Sequence, residues 1–125
     1  MEKEEIIDSV DKNFGDFHYA VMTGDTWQER HDDDVAGIRG VPITKFLAYG
    51  VEKYRVLSSG KWSGYETDGN EVGSGDPIER IEIIADGLVG SAHLSGGEWL
   101  GISRSDDGVM ILGLSSPIDM IWITR

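Results

Sequence analysis

The run His31-Asp32-Asp33-Asp34 is the densest cluster of potential metal ligands in the chain. Hard cations take several carboxylate oxygens, but consecutive carboxylates point apart unless a loop folds tightly around them. The alternating acids, central glycine and distant glutamate of a calcium-binding loop are missing. The stretch therefore reads as a solvated charge run. The three histidines, His18, His31 and His93, show none of the HxH, HxxxH or HExxH spacings that bring imidazoles onto one metal. No metal and no cofactor is assigned.

Nucleophilic and acid–base chemistry finds no better footing. Ser91, Ser95, Ser103 and Ser105 lack the GxSxG context of a nucleophile elbow. Gly73-Ser74-Gly75 lacks the GK[ST] and the strand–turn–helix frame of a phosphate loop. Acid pairs such as Glu79/Glu82 and Glu66/Asp68 fit general acid–base work, yet in a chain with 23 acids pairs arise by chance. Glu98, beside Trp99, is the carboxylate to inspect first, because an apolar ring raises a neighbouring carboxyl by desolvation. The plainer reading is an exposed turn residue. No catalytic residue is assigned, and a non-enzyme is favoured.

One other constellation stands out. Trp62 and Tyr65 lie in a Gly/Ser-rich segment beside Glu66, Asp68 and Glu71. Exposed Trp and Tyr are typical binding anchors, and acids around them select a basic partner. The competing reading is that both rings cap the core from a hairpin. The formal charge of -12 and pI near 4.4 point the same way. They disfavour nucleic acid and anionic membranes and favour basic partners. The expected partner-contacting residues are Asp32, Asp33, Asp34, Trp62, Tyr65, Glu66, Asp68 and Glu71.

The elements that must position these residues follow from pattern and punctuation. At 125 residues the chain suffices for one domain, spanning 1–125. Seventeen glycines and alternating hydrophobicity suggest a β-rich protein with many tight turns. There is no cysteine and therefore no disulfide. No apolar run is long enough for a transmembrane helix, and the acidic start, MEKEEIID, is unlike a signal peptide. A cytoplasmic location is expected.

Glu2–Phe14 reads as an amphipathic helix, with Ile6, Ile7, Val10 and Phe14 on one face. Asp16–Met22 and Thr26–His31 read as strands, with Trp27 inward. Pro42 suits the first position of a helix, and Ile43, Phe46 and Leu47 follow helical spacing. The expectation is a short helix over Pro42–Tyr49, then a strand over Val51–Leu57. Lys61–Glu66 suggests a short strand and Thr67–Asp76 a mobile loop whose one anchor is Val72. Ile78–Ala85, Leu88–Leu94, Glu98–Arg104, Val109–Leu114 and Ile118–Thr124 then succeed one another across turns, Asp86-Gly87 being the strongest hairpin signal. They predict an antiparallel meander. In the last strand both faces are largely apolar, so it should be covered on both sides. No internal repeat is evident beyond this hairpin rhythm.

The fold class expected is α+β: one strongly curved antiparallel sheet or barrel-like meander of roughly six to eight strands, with the N-terminal helix packed on it. The leading function is a non-enzymatic acidic protein that docks on and blocks a basic partner protein, as inhibitor or immunity proteins do. One alternative is a small barrel holding a ligand, or catalysing a carboxylate-dependent reaction, with Tyr19, Trp99 and Trp122 lining its pocket. The other is a structural subunit of a larger complex, marked by an exposed apolar patch or a homodimer.

Overall fold

A computed structural model describes residues 17–31 and 33–125. Among them there are eleven strands: β1 His18–Thr23, β2 Thr26–His31, β3 Val35–Gly37, β4 Ile43–Tyr49, β5 Lys53–Ser58, β6 Lys61–Trp62, β7 Ile78–Ile84, β8 Val89–Leu94, β9 Ser103–Arg104, β10 Val109–Gly113 and β11 Ile118–Thr124. They form three antiparallel sheets, ordered β2-β1-β4, β10-β7-β5-β6 and β3-β11-β8-β9. The three sheets share one apolar core.

The described protein is all-β, with no helix and no closed barrel, so the α+β expectation is overturned. The expected helix over Glu2–Phe14 lies outside the described residues. The expected helix over Pro42–Tyr49 is strand β4. Its helical spacing has a different cause. The register of β1 against β4 skips Thr44, so Ile43 and Phe46 both turn inward although three positions apart. A β-bulge imitates a helical turn in the pattern of apolar residues.

The meander is overturned as well. The Asp86-Gly87 turn does not close a hairpin: β7 pairs with β5 and β10, whereas β8 pairs with β11 and β9. Likewise β10 and β11 are consecutive but lie in different sheets. The turns are where the sequence places them; the strands they join separate into different layers.

The reason is a threefold repeat. Residues 18–50, 53–87 and 89–125 each run through the same course. A first strand (β1, β5, β8) pairs with the last strand of its own repeat (β4, β7, β11) and with a second strand (β2, β6, β9). A third segment then crosses to a neighbouring sheet. β3 pairs with β11, β10 pairs with β7, and Val72 bridges Phe46 of β4. Each repeat thus contributes its third segment to the sheet of another, and the three sheets interlock in a cycle.

Register makes the equivalence residue by residue. Ala36, Val72 and Leu112 face Ile121, Phe46 and Ile81. All six side chains are buried. The next residue is glycine each time: Gly37, Gly73 and Gly113, each with positive φ. A Cβ at these glycines would collide with the carbonyl oxygens of Asp119, Thr44 and Glu79. Those three are the residues skipped by the bulges at the start of β11, β4 and β7. A short connection then leads to Pro42-Ile43, Pro77-Ile78 or Pro117-Ile118, which uses all three prolines of the chain. Ile43, Ile78 and Ile118 are buried. Proline suits the first residue of a strand, where its missing N–H is not needed by the ladder.

The bulge also sets the facing of β11. Ile118 turns inward with Ile121 and Ile123, while Met120, Trp122 and Thr124 form the half-buried outer face. Thr67–Asp76 contains no strand but is held at several points. Val72 exchanges both backbone hydrogen bonds with Phe46, Gly69 N–H donates to Ala48, and the Tyr54 hydroxyl donates to the Asn70 carbonyl at 2.6 Å.

Candidate functional site

Each repeat brings its hairpin and its third segment together, and the side chains placed there differ. The residue after the repeat's tryptophan is Gln28, Ser63 or Leu100, and the residue after the tight glycine is Ile38, Ser74 or Leu114. In the first repeat the Gln28 side chain reaches across to the third segment: its Oε1 accepts from Gly37 N–H at 3.0 Å. In the second repeat a cavity of about 370 Å³ opens between Val56, Ser58, Ser63, Gly73 and Ser74, rimmed by Ser59, Lys61, Trp62 and Asp76. The third repeat holds a smaller one, about 260 Å³, between Ala92, Leu100, Ile102, Leu112 and Leu114.

The polar groups of the second-repeat cavity are unequally committed. Ser59 and Ser74 both donate to Asp76 Oδ2, at 3.3 and 3.4 Å. Ser63 Oγ accepts from Val56 N–H and donates to the Gly64 carbonyl. Ser58 is only 8% exposed, and its hydroxyl has no hydrogen-bond partner. A buried hydroxyl left so costs about 1–3 kcal/mol. Thr23, its first-repeat counterpart, carries the same orphaned hydroxyl.

The expected anchors Trp62 and Tyr65 sit beside this cavity on the outer face of the second sheet. Both rings are engaged within the chain. The Arg55 guanidinium lies over Trp62 at 4.5 Å and over Tyr65 at 4.6 Å, and Lys53 Nζ lies 4.5 Å from the Tyr65 ring. Glu82 Oε1 accepts from Arg55 Nε at 2.9 Å and from the Tyr65 hydroxyl at 2.5 Å. Register explains the meeting, since Arg55 of β5 is directly opposite Glu82 of β7. Burial pushes the Glu82 carboxyl up, but the Tyr65 hydroxyl and the Arg55 and Lys53 charges outweigh it and hold the group below its ordinary value. The hydrogen bond to Glu82 pushes the Tyr65 phenol up. Burial pushes Tyr54, under this surface, up to about 12.

The acids expected with the anchors are more dispersed. Glu66 exchanges backbone hydrogen bonds with Tyr54, and Glu71 pairs with Lys45 at 3.0 Å. Asp68 is exposed with positive φ, and its charge, after burial, helps push Tyr49 up. Asp32 lies outside the described residues. Asp33 is tied to another sheet altogether: its N–H donates to the Ile123 carbonyl, and its Oδ1 accepts from the Trp122 indole at 2.7 Å. Asp34 is exposed, and its carbonyl accepts from the Tyr19 hydroxyl. The structure therefore brings Trp62, Tyr65 and Glu66 together and leaves Asp33 and Asp34 elsewhere. Arg55 and Ser58, which with Glu82 complete the second-repeat site, carry no signal in a single strand's pattern, and Glu82 stands out only as a neighbour of Glu79. They become visible once β5, β6 and β7 are paired.

The third repeat holds a buried polar cluster that local sequence does not foretell. His93 Nδ1 lies 2.6 Å from Asp119 Oδ1, and Asp119 Oδ2 accepts from Gly40 N–H at 2.7 Å. Arg39 Nη1 is 3.4 Å from His93 Nε2, and the Trp99 ring meets the imidazole edge-on. With arginine donating to Nε2, Nδ1 is the nitrogen that donates to Asp119. Both ring nitrogens are thereby spent, on Arg39 and Asp119. The arrangement fastens β8, β11 and the Ile38–Val41 turn to one another. Glu98 is exposed in its turn. No group of three or more potential ligands that could hold a metal ion occurs among the described residues. Tyr19, Trp99 and Trp122, expected around one ligand pocket, line neither cavity: Tyr19 is packed against Phe17 in the core. No described helix is long and apolar enough to cross a membrane.

No family model, no curated protein and no solved structure matches this chain.

Proposed function

We propose that this is a non-enzymatic binding protein that docks on a basic partner protein through the outer face of its second repeat. The observation that carries the reading is Tyr65, 40% exposed yet held by Glu82, Arg55 and Lys53. An aromatic side chain that is presented to solvent and already immobilised loses little entropy on binding. Exposed Asp68 and half-buried Glu66 flank it, within a chain of net charge -12. That field steers a basic partner inward. Because the ring faces are shared with Arg55 and Lys53, the partner meets the edge and hydroxyl of Tyr65 rather than an empty aromatic cage.

The test is capture on the immobilised protein, followed by association kinetics on the recovered partner. A basic protein should be retained, with an on-rate falling at least about tenfold between 50 mM and 500 mM salt. Tyr65→Ala should weaken it by about 2 kcal/mol, the cost typical of an interface anchor. An on-rate indifferent to salt, or binding indifferent to Tyr65→Ala, would remove the reading.

A second reading, a structural subunit, has its own support in the third repeat. Ile102 is 62% exposed and Leu114 54%, and both line the apolar cavity there. Light scattering across a concentration series separates the two: a monomer throughout argues against self-assembly.

A further inference from the structure

We infer that the second-repeat cavity is a binding site for a neutral pyranose sugar. This goes beyond docking on a protein partner, because it concerns the cavity between hairpin and third segment rather than the outer face of the sheet.

The argument starts from what the backbone does not demand. The third repeat builds the same cavity with Leu100 and Leu114 where the second has Ser63 and Ser74. Serines are therefore not required for this fold to form here. The cavity has hydroxyls that both donate and accept, from Ser59 and Ser74, together with one carboxylate, Asp76, and one ammonium, Lys61, while the partnerless Ser58 hydroxyl is buried in its wall. Val56 and Trp62 supply apolar surface beside them.

Ligand classes can then be compared. An apolar ligand would strip water from Asp76 and leave Ser58 without a partner. A divalent cation needs several carboxylates, and Asp76 is the only one lining the cavity. An anion has Lys61 to greet it but must enter against a net charge of -12. A pyranose matches on every count. Its hydroxyls donate to Asp76 and exchange bonds with the serines, a turn of χ1 brings the Ser58 hydroxyl into the cavity, and the C–H face of the ring packs on apolar surface such as Trp62. About 370 Å³ falls at the lower end of small-ligand pockets. Lys61 and Asp76 cancel, so the site is locally neutral.

Methyl glucoside, methyl galactoside, methyl mannoside and N-acetylglucosamine are titrated against the full chain, with saturation-transfer NMR and tryptophan fluorescence as readouts. At least one should bind, with a dissociation constant of about a millimolar. Asp76→Asn and Ser74→Ala change exposed residues, so the fold persists, and each should weaken binding about fivefold or more. Leu114→Ser, in the third repeat, should leave it unchanged. Binding of none of the four by the wild-type chain overturns the assignment, as does binding indifferent to Asp76→Asn. Tighter binding of glucose 6-phosphate than of methyl glucoside also overturns it, because the cavity would then belong to an anion held by Lys61. A neutral sugar binds independently of salt, whereas docking of a basic protein does not, so either result can fail without the other.

Discussion

The second and third repeats are built on one backbone plan and do opposite things with it. Both bury a third segment against a neighbouring sheet, at Val72 and at Leu112. Both place a tight glycine next to it, Gly73 and Gly113. Yet the second repeat gathers its polar groups outward, as Arg55, Glu82 and Tyr65 and the serine-lined cavity, and keeps the bulged residue Glu79 partly exposed. The third turns its bulged residue, Asp119, into the interior against His93 and leaves Ile102 and Leu114 in solvent. The backbone decides where a cavity can form. The few side chains around it decide whether it meets water, a ligand or another surface.

That comparison can be broken most forcefully at the glycines. Gly113→Ala should destabilise the protein by at least about 3 kcal/mol, since positive φ and collision with the Glu79 carbonyl act together. Gly73→Ala should cost a similar amount if the repeats are equivalent, which urea titration of both variants measures. A mild effect at Gly73 alone would mean that the single Val72 bridge holds its segment less firmly than a full strand.

The next largest effect belongs to the buried pair. Asp119→Ala leaves His93 and the Gly40 N–H without their partner and should cost about 2–4 kcal/mol. Thr44→Ala, at the matching position of the first repeat, removes only a long hydrogen bond to the Met22 carbonyl and should cost under about 1 kcal/mol. Similar losses at both sites would deny the third repeat its special lock.

A smaller effect sharpens the account of the outer face. The Glu82 carboxyl is held below its ordinary value, so its contribution to stability is fully present above the unfolded carboxyl value, near 4.5. It is lost as pH falls through the lowered folded value. Urea midpoints measured downward from neutral pH should therefore fall less steeply for Glu82→Gln than for the wild type. Equal slopes would show that the cluster is not coupled to folding. Smallest of all, Ile102→Ser should change stability by less than about 0.5 kcal/mol, while abolishing any concentration-dependent association seen by light scattering.

Much of this protein is readable one strand at a time. The alternation in 17–22 and 26–31, the apolar runs before and after Asp86-Gly87, and the last two strands all reappear as β1, β2, β7, β8, β10 and β11. The tight turns fall where Gly and Asp place them. The strand β4 was hidden because its bulge at Thr44 spaces Ile43 and Phe46 like a helix. Expected Glu98–Arg104 shrinks to β9, with Trp99 contributing only a bridge to His93. The repeat left its own marks: Trp27 to Trp62 is the same separation as Pro42 to Pro77, and every proline precedes an isoleucine. Those marks are sparse because one glycine, one proline and one turn tryptophan per repeat suffice for the backbone, and the other positions are free to diverge.

The sequence by itself determined most of the extended segments, β4 excepted, where the chain turns, and that the surface is strongly acidic, because these depend on local propensity, on the period of apolar residues and on a simple count of charges. Only the tertiary structure decided which strands share a sheet, that Asp119 finds His93, and that Arg55 settles over Trp62 and Tyr65. Strand pairing joins segments far apart in the chain, and each is chosen by the fit of its buried face to the others around a common core. No window of neighbouring residues contains that information.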